Sequence, residues 1–84
     1  MNPNFASLVL GLAGQVEQAL AGQLPPELGG GVTPRDVART LIDTLGMLEE
    51  KTRGNLEADE QQLLTEVVTQ VRFRFVASER SGNN

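Results

Sequence analysis

Twelve consecutive residues, Leu45-Gly46-Met47-Leu48-Glu49-Glu50-Lys51-Thr52-Arg53-Gly54-Asn55-Leu56, constrain the fold more than any other part of this chain. They read as the last turns of an amphipathic helix, a glycine stop and an immediate restart. Gly54 can take the left-handed conformation that closes a helix without a side-chain clash. Lys51 and Arg53 fall in the last turn, where positive charge suits the carbonyl end of the helix dipole. Glu49 precedes Arg53 by four positions, the better order for a charged pair on one helix face. A connection this short between two apolar stripes predicts an antiparallel helical hairpin. Each arm of ~20 residues would run about 30 Å.

The first arm is expected over residues 34–53. Thr33 supplies the cap, Pro34 the first helical position, and Asp36 an acid in the first turn. Val37, Ala38, Leu41, Leu45 and Leu48 make its apolar stripe, flanked by Ile42. Arg39, Asp43 and Glu50 lie on the far side and read as a solvated face with ordinary helix pairing between Arg39 and Asp43. The second arm is expected over 58–78. Glu57, Asp59 and Glu60 sit at its positive end, and Leu64, Val67, Val68, Val71 and Phe75 form its core face. Valine is a weak helix former, so packing must hold this arm. Residues 79–84 read as a frayed tail. Contacts are expected between Leu48 and the Leu63/Leu64 end, and between Val37 or Leu41 and the Phe75 end.

Upstream, a further helix is expected over 4–22, with Asn2 as cap and Pro3 in the first turn. Phe5, Leu8, Val9, Leu12, Val16, Ala19 and Leu20 share one face. Ala6, Leu10, Ala13 and Gly14 line the opposite side without a charge among them, so the first half of this helix is apolar nearly all round and wants burial on all sides. Residues 23–32 form a linker in which two prolines are expected to stop the helix and Gly29 to Gly31 to give freedom. That glycine run lacks the lysine–serine or lysine–threonine pair and the preceding strand of a phosphate loop. The whole chain, 1–84, therefore reads as one all-α domain, a three-helix chain assembled as an oligomeric helical bundle.

Composition removes most chemistries. A chain of 84 residues buries only about 60% of its unfolded surface and has a marginal core. It has no cysteine for a disulfide, and oligomerisation is the simplest remaining remedy. It also has no histidine, tryptophan or tyrosine. The net charge of −4 argues against a dedicated nucleic-acid protein and against an anionic membrane surface. The apolar run from Phe5 to Ala13 is too short to span a bilayer and lacks the preceding positive charge of a signal peptide. A cytoplasmic location is expected. The carboxylates of residues 49–50 and 57–60 are not forced into a cleft by their spacing, and Ser7, Ser78 and Ser81 lack an activating base. No catalytic residue, metal site or cofactor is expected.

Two apolar surfaces remain beyond the core. Phe5, Ala6, Leu8, Val9, Leu10, Leu12 and Ala13 are the expected oligomer interface, most simply of a two-fold dimer. The second surface is Arg72, Phe73, Arg74 and Val76. Phe73 stands about 180° from Leu64 on the helical wheel, and an aromatic framed by arginines is the chemistry of binding hot spots. The alternative is that Phe73 packs against the first helix or the 23–32 linker inside the oligomer.

The segments Phe5 to Ala13, Leu45 to Leu56, Glu60 to Leu64 and Val71 to Val76 together resemble a small bacterial family, domain of unknown function 1844. The resemblance covers about residues 5–77, and the 45–56 stretch is its most distinctive part. It implies no assigned activity and hence no catalytic residue. Members often carry threonine-proline where this chain has Glu57-Ala58, which implies a weaker cap on the third helix here. Some members of the family it resembles are encoded beside translation initiation factor 3 and ribosomal proteins. The expected function is a non-enzymatic small helical oligomer that acts as a structural or protein-interaction module. The alternative is an RNA- or ribosome-associated accessory protein, in which Arg72, Arg74 and Arg80 with Phe73 and Phe75 would grip phosphate and stack bases.

Overall fold

The computed structural model describes residues 1–23, 31 and 33–82, and for 79–82 it describes the backbone alone. Three helices form: α1 (Pro3–Leu20), α2 (Pro34–Lys51) and α3 (Ala58–Gly82). The ends of α1 show why local sequence sufficed to place it. The Asn2 carboxamide oxygen accepts from the amides of Asn4 (2.8 Å) and Phe5 (3.3 Å), satisfying donors that the first turn leaves without a partner. At the other end Gly22 takes φ +82° and donates to the Ala19 carbonyl, while Gln23 donates to Gln18. This is a glycine stop of the two-bond Schellman type. The helix therefore ends at Leu20 because of Gly22, and not because of the prolines downstream. Residues 24–30 and 32, most of the expected linker, lie outside the described residues.

Helix α2 begins as its sequence implies, with the Thr33 hydroxyl accepting from the Asp36 amide at 3.0 Å. It stops at Lys51, two residues short of the expected end, and Gly54 turns the chain at φ +85°. Arg53 thus lies past the helix. Its expected partner, Glu49, instead accepts from the Thr65 hydroxyl of α3 at 3.2 Å. Helix α3 continues to Gly82, four residues beyond the expected end. Nothing helix-breaking stands between Ser78 and Gly82, so the ladder propagates. Residues 83–84, the end of the expected frayed tail, lie outside the described residues.

Four contacts orient the helices. Glu49 meets Thr65, and the Arg35 guanidinium stacks over the Phe75 ring with its carbon 3.9 Å from the centroid. Residues early in α2 therefore meet residues late in α3, so the pair is antiparallel. Asn2 contacts Glu60, and Glu17 contacts Arg74, so α1 runs parallel to α3. The result is an up-down-up bundle measuring 40 × 28 × 17 Å, with every helix pair in contact. Its core joins Val9, Val16 and Ala19 of α1, Ala38, Ile42 and Leu45 of α2, and Leu64, Val67, Val68 and Val71 of α3. Leu45, Leu64, Val9 and Val16 are the largest side chains closed completely from water. Each contributes about 1.5–3 kcal/mol of burial.

Candidate interaction surfaces

The faces turned to solvent depend on two clasps that fix α1 against α3. The first is at the helix N-termini. Glu60 is buried, and its carboxylate accepts from two backbone amides, Asn2 and Glu57, each at 2.9 Å. These N–H groups hold its carboxyl below the usual range, the Asn2 amide more strongly than that of Glu57, while burial acts the other way. The bond to Glu57 is half of a capping box. It supplies the cap of α3 that Glu57-Ala58 was expected to lack. The Met1 amino group lies 3.2 Å from Asp59 and 3.6 Å from Glu57, and these carboxylates, Asp59 first, raise its pKa.

The second clasp lies fourteen or fifteen residues further along each helix. The Arg74 guanidinium grips Glu17 in a forked pair, with Nε at 2.9 and 3.1 Å from the two carboxylate oxygens and Nη2 on one of them. Arg74 lowers the pKa of Glu17, and Glu17 raises that of Arg74. Both side chains keep contact with solvent, so screening discounts the pair.

The expected partner surface is consequently divided. Arg74 turns to α1 and is committed there. Arg72 crosses the other way, and its Nη2 lies 3.0 Å from where a β-carbon on Gly46 of α2 would sit. Between them Phe73 stands 71% exposed and Val76 52% exposed. Phe73 is therefore not a core residue of the subunit. Arg39 forms no ion pair with Asp43 among the described residues.

The expected oligomer interface divides as well. Val9 is fully buried in the subunit core, and Phe5, Leu12 and Ala13 pack against that core. These four are held by α2 and α3, because a third helix closes over a face that the helical wheel alone leaves open. Ala6 is half-buried. Leu8 and Leu10 are the two that remain exposed, at 49% and 53%. Leu8 was expected on the core face but lies at its edge. Beside Leu10, a groove of 230 Å³ runs between α1 and α3, lined by Leu10, Ala13 and Gly14 and by Val67, Gln70 and Val71, with Glu17 at its end. A second depression of 330 Å³ continues past Glu17 and Arg74 to Leu20, Ala77 and Ser78.

The remaining geometry is chemically plain. Among the described residues no three acidic side chains converge in a way that could hold a metal ion. No described helix is long and apolar enough to cross a membrane. The model of one family, the domain of unknown function DUF1844, matches residues 2–77. The chain belongs to this family. The match takes in all of α1 and α2 and all but the last turn of α3, so the clasps at Glu60 and Glu17–Arg74 and both exposed surfaces fall within it. Among curated proteins and among solved structures, nothing matches the chain.

Proposed function

We propose that this member of DUF1844 is a non-enzymatic helical interaction module, a small rigid bundle whose work is to hold other protein surfaces. The single observation that carries this reading is the exposure of Leu8, Leu10, Phe73 and Val76 on a bundle whose core is already closed without them. Single exposed apolar residues need no explanation, but large ones gathered on defined faces mark interaction sites. The clasps at Glu60 and at Glu17–Arg74 support the same reading, because they hold both faces in fixed relation. The test is affinity capture from the cells that make the protein, with mass spectrometry and with nuclease treatment in parallel. Wild type should retain a defined set of proteins that Phe73→Ala loses, with nuclease making no difference. Capture of nothing, by wild type as by the variant, would refute it.

One observation favours a second reading. Phe73 stands 71% exposed, and its chain neighbour Arg72 is in no salt bridge among the described residues. Arginine beside an open aromatic ring suits single-stranded RNA. The commitment of Arg74 to Glu17 weakens this grip. A retained protein set that nuclease releases, or RNA binding that weakens steeply with salt, would favour the RNA-associated alternative.

A further inference from the structure

Helix α1 is electrostatically unlike its neighbours. From Pro3 to Val16 it carries no charged residue, and its one charge, Glu17, is paired with Arg74. Helices α2 and α3 carry seven charged residues each. In a protein of net charge −4, α1 is thus the surface on which two copies can meet with least like-charge repulsion and least desolvation of charge. A charged partner would find nothing to pair with there.

The same helix is shaped for its own copy. Leu10 projects, 53% exposed, beside the 230 Å³ groove floored by Ala13 and Gly14 and walled by Val67, Gln70 and Val71. A β-carbon on Gly14 or on Gly11 would meet nothing within 4 Å. Neither glycine is needed for packing inside the subunit or for a turn, although each weakens the helix relative to alanine. Projection and recess lie four residues apart on one side of one helix. An antiparallel two-fold pairing brings like sides together, so one axis seats both projections in both recesses. A standard interface takes about 800 Å² from each partner, about one-seventh of the 5663 Å² that this subunit exposes.

Resting on the reading of the protein as an interaction module, we infer that its α1–α3 face is occupied by a second copy of this chain. The two α1 helices pack antiparallel about a two-fold axis near Gly11 and Leu12. Each Leu10 enters the groove of the other subunit over Gly14 of the partner subunit, and each Leu8 lies beside the partner's Gln15. The glycines then have a purpose, because they let two helix backbones approach.

The test is sedimentation equilibrium of the full chain, comparing wild type with Gly14→Leu, Leu10→Glu and Phe73→Ala, with circular dichroism on each. Wild type should sediment at twice the 9.0 kDa subunit mass at micromolar concentration. Gly14→Leu fills the recess, and Leu10→Glu places a charge in it. Each should keep the helical spectrum yet raise the dimer dissociation constant at least about tenfold. Phe73→Ala should leave that constant unchanged. A milder variant guards against misfolding. Gly14→Ala should raise the melting temperature of the dilute monomer and weaken the dimer, opposite signs that loss of fold cannot produce. A wild type that stays monomeric up to submillimolar concentration would overturn the inference. So would a dimer insensitive to Gly14 and Leu10. If the wild type is monomeric but Phe73→Ala still abolishes capture of a partner protein, the inference fails and the module reading survives.

Discussion

Glu60 shows how much one side chain can decide. It is an acid in the first turn of α3, where a charge is ordinarily only a dipole ornament, yet it is buried and joins two helices. Its carboxyl is held below the ordinary value of 4.5, so the folded state binds the proton less readily than the unfolded chain. The stability this provides is complete above 4.5 and is lost as pH falls through the lower folded value. Glu60→Gln offers one acceptor where two amides need one each, so it should lower the melting temperature at neutral pH. The gap between wild type and variant should shrink as the solution is acidified below 4.5. A constant gap across a pH series of thermal melts would show that the Asn2 and Glu57 bonds do not carry the charge dependence. Phe73 gives the opposite case. Because it is 71% exposed, Phe73→Ala should change stability by no more than about 0.5 kcal/mol. A denaturant titration giving a loss of about 3 kcal/mol would mean that Phe73 is covered in solution by more than water.

At the scale of elements, Gly54 in the α2–α3 connection and Gly46 within α2 carry the testable physics. Gly54 sits at φ +85°, where a β-carbon is strained. Gly54→Ala should destabilise the protein by roughly 1–2 kcal/mol. Gly46 is helical, and the nearest obstacle to a β-carbon is the far end of the flexible Arg72 side chain at 3.0 Å. Gly46→Ala should therefore gain helix propensity, stabilising by up to about 1 kcal/mol once Arg72 moves aside. The two substitutions are chemically identical and are expected to act with opposite signs in urea unfolding. A loss at Gly46 as large as that at Gly54 would mean that Arg72 is fixed in place. The Glu17–Arg74 fork makes a smaller contribution. Both partners remain solvated, so Arg74→Ala should show a weak effect that fades with added salt.

At the scale of the whole molecule, stability rests on few side chains. Leu64 and Leu45 are completely buried where α2 meets α3. Leu64→Ala should cost about 2–5 kcal/mol. A small domain has about 5–15 kcal/mol in total, and this one belongs at the low end. Calorimetry should find the variant largely unfolded near body temperature. A modest shift in melting temperature would point to support from outside the subunit, as a dimer would provide through mass action. That support would also make the wild-type melting temperature rise with protein concentration.

The sequence by itself determined the three helices, their starts to within one residue and the antiparallel hairpin, because these depend on local physics. Asn2 and Thr33 cap neighbouring amides, Gly54 turns the chain, and apolar residues recur at helical spacing. It left the end of α1 misattributed, since Gly22 and the prolines are both plausible stops and only the backbone angle separates them. The tertiary structure alone decided which apolar residues face inward. Helical periodicity tells which side chains share a face but not which neighbour covers it. Leu10 and Ala13 share one side of α1 by helical spacing, yet Ala13 packs against the core and Leu10 stays exposed. Likewise Arg72 and Arg74 look equivalent on the chain, but one crosses to α2 and the other pairs with Glu17. Those assignments depend on residues in other helices, far away in sequence, and no local pattern reports them.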